Sequence, residues 1–170
     1  MTIDNKTIDG CIKNKIEHQK VFFEYFAPKI KVICIRYGYD EEMLYPIFEL
    51  LFDNTKYLKT KTGEISTNIK EYVIEYIVKT TIEKGIDISN DNLIETDDLV
   101  EANKYTPEEL LMTLHRLPTL QRLIYNQYVV DGFTMNDIIV KLNLNETIFQ
   151  LEYGNAKENV KRYLKEIKPI

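Results

Sequence analysis

The amino-acid sequence predicts an all-α fold built from two small helical modules joined by an acidic linker. Apolar residues recur at intervals of three and four through most of the chain, which is the period of an amphipathic helix. Capping and turn residues divide this pattern into helix-sized segments, and 44% hydrophobic content in 170 residues is enough to form helical cores. The predicted boundaries are 1–85 for the first module, 86–105 for the linker and 106–170 for the second module.

The charge distribution defines the linker. Acidic and basic groups are equal in number in residues 1–85 and again in 106–170, so the net charge of −5 comes entirely from 86–105. Acidic, turn-rich segments of this kind rarely bury enough apolar surface to pack. We therefore expect two nearly neutral modules on either side of a segment without fixed tertiary packing.

The first module is predicted to be helical over most of its length. Its expected helices cover residues 7–16, 17–27, 29–37, 41–52 and 69–84. Pro28 separates the second helix from the third, because proline inside a helix removes a hydrogen bond and clashes with the preceding turn. Asp40 is placed to cap the fourth helix. β-Branched residues leave a strand open as an alternative for 74–83.

The second module begins with a well-marked helix start. Thr106 can cap the helix, Pro107 suits its first position, and Glu109 completes a capping box. Four leucines continue the apolar face: Leu110, Leu111, Leu114 and Leu117. A further helix follows from Pro118, with an apolar set expected on its inner side: Leu120, Ile124, Tyr128 and Val129.

Two tight turns divide the rest of this module into a helix-turn-helix. Gly132 ends the preceding helix, and Thr134 with Asp137 forms the next capping pair. Asn143 suits the left-handed conformation that a three-residue turn needs, and Asn145 can cap the long helix that follows. A short helix, a tight turn and a longer helix are typical of helix-turn-helix DNA-binding modules.

The long last helix has two predicted faces. Its inner face, spaced 4, 3 and 4, consists of Phe149, Tyr153, Ala156 and Val160. Its outer face consists of Ile148, Gln150, Leu151, Glu152, Gly154, Asn155 and Lys157. Lys157 is the one cation on this face, whereas DNA-binding surfaces neutralise phosphates with several. Glu152 would meet phosphate with like charge, although a carboxylate can accept from a cytosine amino group.

Two stretches of the sequence resemble the sigma-70 family of RNA polymerase sigma factors, in particular its extracytoplasmic-function (ECF) group. The first, IDGCIKNKIEHQKVFFEYFAPKIKVICIRY at 8–37, is similar to the family's opening helices. The second, LHRLPTLQRLIYNQYVVDGFTMNDIIVKLNLNETIFQLEYGNAKENV at 114–160, shares the family's LP, its DGFT turn and its alternation of core positions. The resemblance implies a divergent member with a sigma region 2-like module and a sigma region 4-like helix-turn-helix module.

This resemblance implies a function in transcription initiation. Core RNA polymerase and promoter DNA are the implied partners, with an anti-sigma protein as a regulator. The implied DNA-binding residues are Thr134, Asn145, Thr147, Ile148, Gln150, Leu151, Glu152, Asn155 and Lys157. The apolar, outward positions of Ile148 and Leu151 favour a contact with protein over one with phosphate, or else a slightly rotated core.

In the first module the resemblance implies two further sites. The polymerase-binding residues, on helix 41–52, are Leu44, Phe48, Glu49 and Phe52. The promoter-melting residues, on the segment 67–84, are Lys70, Tyr72 and Lys79. Tyr72 offers a ring that can stack on an unpaired base, but its place in the apolar repeat favours the core.

The sequence gives no support for an enzyme. It has no Gly-rich phosphate loop, no nucleophile motif and only two histidines, so we expect no catalytic site, cofactor or metal. Cys11 and Cys34 lie in apolar helical contexts and are expected to be buried free thiols. A signal-peptide pattern is missing and no apolar run approaches about 18 residues, so we expect a cytoplasmic protein without membrane contact.

Three functions are consistent with these observations. The first is a divergent ECF-type sigma-like factor that binds core RNA polymerase and promoter DNA. The alternative is a sigma-like interaction protein that binds polymerase or an anti-sigma partner with little or no DNA binding. A plain helix-turn-helix regulator would leave the first module without a role. Because both modules are nearly neutral, we expect the isolated chain to bind promoter duplex more weakly than about 1 μM at physiological salt.

Overall fold

The computed structural model describes residues 3–54, 58, 65–86 and 105–167, and these residues form an all-α protein. No strand occurs among them, so the strand alternative for 74–83 is wrong. The chain divides into two compact units, Met1–Thr80 and Thr81–Ile170. Most of the predicted acidic linker, 87–104, lies outside the described residues, so its lack of packing stays a prediction.

Eight α-helices occur in the described ranges, together with one short 3-10 turn and one π-helical turn. The α-helices are α1 Asn5–Ile12, α2 Ile16–Arg36, α3 Leu44–Asp53, α4 Ile65–Lys84, α5 Pro107–His115, α6 Thr119–Tyr125, α7 Met135–Leu142 and α8 Glu146–Ile167. The 3-10 turn is Glu41–Met43 and the π-helical turn is Asn126–Val130. The predicted helical segments are thus present, but 17–27 and 29–37 form the single helix α2, α1 ends at Ile12, and α4 starts four residues earlier than expected.

Helices α1 and α2 pack against each other at a position that only glycine fits. Gly10 lies on the buried side of α1, and a Cβ added to it would lie 2.1 Å from Cγ and 2.6 Å from Cβ of His18. Contacts this short would force the two helices apart, since a Cβ of the histidine cannot rotate away. Gly10 therefore sets how closely α1 approaches α2.

Pro28 does not interrupt α2, which corrects the sequence-based expectation of two helices. The helix runs unbroken from Ile16 to Arg36 with Pro28 inside it. Proline in a helix interior costs about 3 kcal/mol. An apolar stripe at a spacing of four continues straight across it and stays buried: Phe22, Phe26, Ile30 and Cys34. Burial of this stripe offsets the local cost, because each fully buried large apolar side chain contributes about 1.5–3 kcal/mol.

Aromatic rings form the centre of the first unit. The Phe22 ring, which is fully buried, lies 4.6 Å from Phe26, 6.4 Å from Phe48 and 5.7 Å from Phe52 between ring centroids. The rings are tilted or edge-to-face, arrangements that add about 0.5–1.5 kcal/mol per pair to the area they bury. This cluster joins α2 to α3.

Both cysteines are buried free thiols, as the sequence predicts. Burial raises the pKa of Cys11 and of Cys34 to about 11, because the apolar surroundings disfavour the thiolate.

We expect both native thiols to resist alkylation by iodoacetamide at pH 8 and to react once the chain is unfolded in urea. A pKa about two units above the ordinary value lowers the thiolate fraction about a hundredfold. Folding favours the protonated thiol, so the contribution of the two thiols to the free energy of unfolding should be constant below pH 9. It should fall as the pH rises from 9 towards 11. Mass spectrometry of the alkylated chain measures the first effect, and complete labelling of the native protein within minutes would contradict it.

Helix α5 of the second unit starts with the predicted capping box. Thr106 Oγ1 accepts from the backbone N–H of Glu109 at 3.2 Å, and Glu109 Oε2 accepts from the Thr106 N–H at 2.8 Å. Helix α6 then follows and packs against α8. At its C-terminal end the side-chain amides of Asn126 and Gln127 donate to the carbonyls of Arg122 and Leu123. These two bonds satisfy backbone acceptors where α6 widens into the π-helical turn.

Candidate functional site

The helix-turn-helix of the second unit has the predicted caps at both helix starts. Thr134 Oγ1 donates to Asp137 Oδ2 at 2.6 Å and accepts from the Asp137 N–H, and this hydroxyl bond lowers the pKa of the Asp137 carboxyl. Asn143 ends α7 in the left-handed conformation with φ 52°. Asn145 Oδ1 accepts from the Ile148 N–H at 2.8 Å and caps α8. Thr134 and Asn145, both predicted to contact DNA, therefore act as structural caps.

The inner face of α8 confirms part of the predicted spacing. Phe149 and Ala156 are fully buried, while Tyr153 and Val160 are half-buried. The ring of Tyr128 lies 5.5 Å from Phe149 and 5.1 Å from Tyr153. Burial raises the pKa of the Tyr153 phenol above its ordinary value.

Glu152 and Asn155 do not lie on the outer face, which corrects their assignment to a DNA contact. Glu152 is 1% exposed and Asn155 is 4% exposed. Gln121 Nε2, on α6, donates to Glu152 Oε2 at 3.1 Å, and Gln121 Oε1 accepts from Asn159 Nδ2 at 2.7 Å. Glu152 lies three residues from Phe149 and four from Ala156, so it shares their side of the helix. The hydrogen bond from Gln121 of α6 gives the buried Glu152 carboxylate a polar partner.

The outer face of α8 is therefore smaller and less polar than predicted. Thr147, Gln150 and Lys157 are exposed, Leu151 is 38% exposed and Ile148 is half-buried. With Glu152 buried, its charge no longer opposes phosphate on this face. Lys157 stands over the Tyr153 ring with its Nζ 4.9 Å from the centroid, so its ammonium is held beside α8.

The π-helical turn exposes apolar side chains that the sequence predicted to face inward. Tyr128 is 39% exposed and Val129 is 47% exposed, and the neighbouring Val130, to which the sequence assigned no face, is 45% exposed. A π-helical turn places more residues in each turn than an α-helix, so the inward repeat of α6 does not continue through it. Sequence periodicity assumes a constant 3.6-residue turn and does not detect this change.

The predicted polymerase-binding residues of the first unit divide into buried and accessible groups. Phe48 is buried in the unit's own core and does not reach the surface, which corrects its assignment as a partner contact. Leu44 is 8% exposed and lines a groove between α2 and α3, so it stays a candidate. Phe52 is half-buried against Phe22. Glu49 is exposed and stays a candidate. Tyr45 was not among the predicted residues, although it is 73% exposed on the same helix.

A groove lies between the middle of α2 and the start of α3. Its volume is about 590 Å³, and it is lined by Phe23, Glu24, Ala27, Pro28, Lys31, Glu41, Glu42, Leu44 and Tyr45. Lys31 forms an ion pair with Glu41. Glu24 and Glu42 form no ion pair with any described residue, so the groove combines apolar side chains with a net negative rim. Pro28 contributes to its surface.

The predicted promoter-melting residues do not form an aromatic surface. Tyr72 is buried, which confirms the expectation that it belongs to the core. Lys79 is exposed and Lys70 is half-buried on α4. A ring that is buried cannot stack on a flipped base, so Tyr72 is not a melting residue.

Within the described ranges, no group of three or more His, Cys, Asp or Glu side chains is arranged to hold a metal ion. None of the helices in these ranges combines the length and hydropathy that crossing a bilayer requires. No protein-family model matches the chain, and neither the curated proteins nor the solved structures contain a match to it.

Proposed function

We propose that this protein is a divergent sigma-like factor that acts in transcription initiation by binding core RNA polymerase and promoter DNA. The observation that carries the proposal is the capped helix-turn-helix, in which Asn143 and Asn145 set the turn and the start of α8. The N-terminal residues of a recognition helix contact base edges in the major groove. Thr147 and Gln150 are exposed at this end of α8.

The groove of the first unit supports binding to polymerase. Its apolar floor accepts apolar side chains of a partner helix, and its negative rim attracts a partner surface that carries lysine or arginine. Tyr45 at its edge is the kind of exposed aromatic residue that often dominates the energy of an interface. Leu44 lines this groove and keeps its proposed role, whereas the groove replaces Phe48 as the proposed partner contact.

A second candidate function keeps polymerase or anti-sigma binding and omits DNA binding. It is favoured by the exposed apolar side chains of the second unit, namely Val129, Val130, Val140 and Leu151. It is also favoured by the scarcity of cations on α8, where Lys157 is the first basic residue from the N-terminus. Few cations mean little counterion release on DNA binding, and therefore low affinity.

Capture of purified core RNA polymerase by the tagged chain tests the proposal. We expect a stoichiometric complex with the wild-type chain and a loss of affinity of about tenfold or more for Glu42→Lys, which reverses a charge on the groove's rim. Glu108→Lys is the matched control, because Glu108 is also an exposed glutamate but lies on α5 of the second unit. Failure of the wild-type chain to bind polymerase would refute the proposal.

Promoter binding by the complex separates the two candidates. We expect the complex to shift promoter duplex at concentrations where core polymerase alone binds non-specifically. Lys157→Gln should reduce the salt slope of this binding by about one, because one phosphate contact is lost. A complex that binds promoter and random DNA equally would favour the second candidate.

A further inference from the structure

We propose that the second unit recognises A·T base pairs, and that Gln150 is the residue that specifies adenine. This inference rests on the proposed function, since it names the DNA sequence class that the same helix reads. It is carried by the side chains exposed on the first two turns of α8 and by the burial of Glu152 and Asn155.

The exposed residues of these turns are placed to reach base edges. Thr147, Gln150 and Leu151 are at spacings of three and four, so they lie on one side of α8 near its N-terminus. Glu152 and Asn155 are excluded from this side because both are buried, and Glu152 accepts a hydrogen bond from Gln121 of α6. The reading surface is therefore defined by three uncharged side chains.

The chemistry of these side chains matches adenine and thymine. The amide of glutamine can donate to adenine N7 and accept from its N6 amino group, and apolar groups such as the threonine methyl contact the thymine methyl. Guanine presents two acceptors, for which arginine or lysine is the bidentate partner. The first two turns of α8 contain neither.

The charged residues nearest to this surface do not change its preference. Lys157 lies ten residues after Thr147, which is about 15 Å along the helix axis, so its ammonium reaches phosphate rather than the same bases. Glu146 is exposed at the first position of α8. Its carboxylate can accept from the amino group of adenine as well as from that of cytosine, so it does not oppose an A·T pair, although it opposes nearby phosphate.

Gln150 is held in an orientation that leaves both required groups accessible. Its Nε2 donates to the thioether of Met135 on α7, with an N–S distance of 3.4 Å. A side-chain amide carries two N–H donors and one carbonyl, so the second N–H and Oε1 remain for adenine. The contact thus couples the reading side chain to the first helix of the pair.

Selection from a randomised duplex library tests this inference, with the full chain used both alone at low salt and in complex with core polymerase. We expect enrichment of sites with an invariant adenine flanked by A·T pairs. Gln150→Arg should move the preference at that one position from adenine to guanine by roughly 5- to 150-fold, the range for one bidentate contact. Lys157→Gln is the control, because it should weaken all sites equally and leave the preferred sequence unchanged.

The outcomes separate the inference from the proposed function. Enrichment of A·T sites without polymerase binding would support the inference and refute the sigma-like role. Polymerase binding with invariant G·C pairs, with no enriched sequence in either arm, or with an unchanged preference in Gln150→Arg would overturn the inference alone. Equal thermal unfolding midpoints for wild type and Gln150→Arg establish that the variant is folded.

Discussion

Replacing Glu152 with lysine is expected to destabilise the second unit strongly rather than to strengthen its binding to DNA. The carboxylate is buried and accepts a hydrogen bond from Gln121, so a lysine there would place an ammonium opposite the donor N–H groups of that amide. Reversing one side of a buried, hydrogen-bonded charged group costs about 3–5 kcal/mol, and a domain of this size is stable by only about 5–15 kcal/mol.

The matched control for this variant is Gln150→Lys. It adds a positive charge two residues away on the exposed side of α8, where a substitution should change the free energy of unfolding by about 0.5 kcal/mol or less. Urea unfolding followed by far-UV circular dichroism measures both variants. A Glu152→Lys chain with wild-type stability and tighter DNA binding would show that this side chain faces the solvent.

Replacing Phe22 with alanine is the second large effect, and we expect it to cost about 3–5 kcal/mol in the first unit. The ring is fully buried and contacts three other phenylalanine rings from α2 and α3, so its loss leaves a cavity that the neighbours cannot fill. The two thiols report on this unit, because Cys11 and Cys34 both lie within Met1–Thr80.

Alkylation rates therefore measure the effect of Phe22→Ala locally. We expect both cysteines to become reactive at urea concentrations where the wild-type thiols are protected. Tyr45→Ala is the control, since it removes an aromatic ring that is 73% exposed and should leave the protection unchanged. Protection of the thiols in Phe22→Ala at wild-type urea concentrations would mean that the phenylalanine cluster does not support the unit.

Much of the fold could be predicted because its signals are local. The capping boxes at Thr106 and Thr134 and the left-handed turn at Asn143 each depend on residues within four positions of one another. Such features follow from backbone hydrogen bonding and allowed dihedral angles, which a short stretch of sequence already determines. The helix-turn-helix was predictable for this reason.

The errors arise where distant residues decide the outcome. Glu152 falls outside the 4, 3, 4 spacing of the inner face and was therefore assigned to the surface, but its partner Gln121 is 31 positions away in the sequence. Pro28 was expected to end a helix, but a buried stripe on both sides of it overrides the local rule. The π-helical turn changes the period of α6 without a local sequence signal that the 3.6-residue repeat can detect.

The candidate sites were predicted less well than the fold for the same reason. Sequence spacing assigned partner contacts to Leu44 and Phe48, but the first unit buries Phe48 in its own core, and of the two only Leu44 lines a groove. The groove beside them depends on how α2 meets the start of α3, a relation that no spacing encodes. Membership of the sigma-70 family stays a prediction from the two stretches that resemble it.

The hydrogen-bonded trio of Gln121, Glu152 and Asn159 fixes the rotation of α8 about its own axis. If α8 rotated about its axis or slid by one turn, about 5.4 Å, the Glu152 carboxylate would lose the hydrogen bond from Gln121. Apolar contacts are less directional and do not fix the position of a helix in this way. The direction in which α8 presents Gln150 is thus set by buried hydrogen bonds within the unit. A change at Gln121 would remove this constraint on α8 without altering any residue on its exposed side.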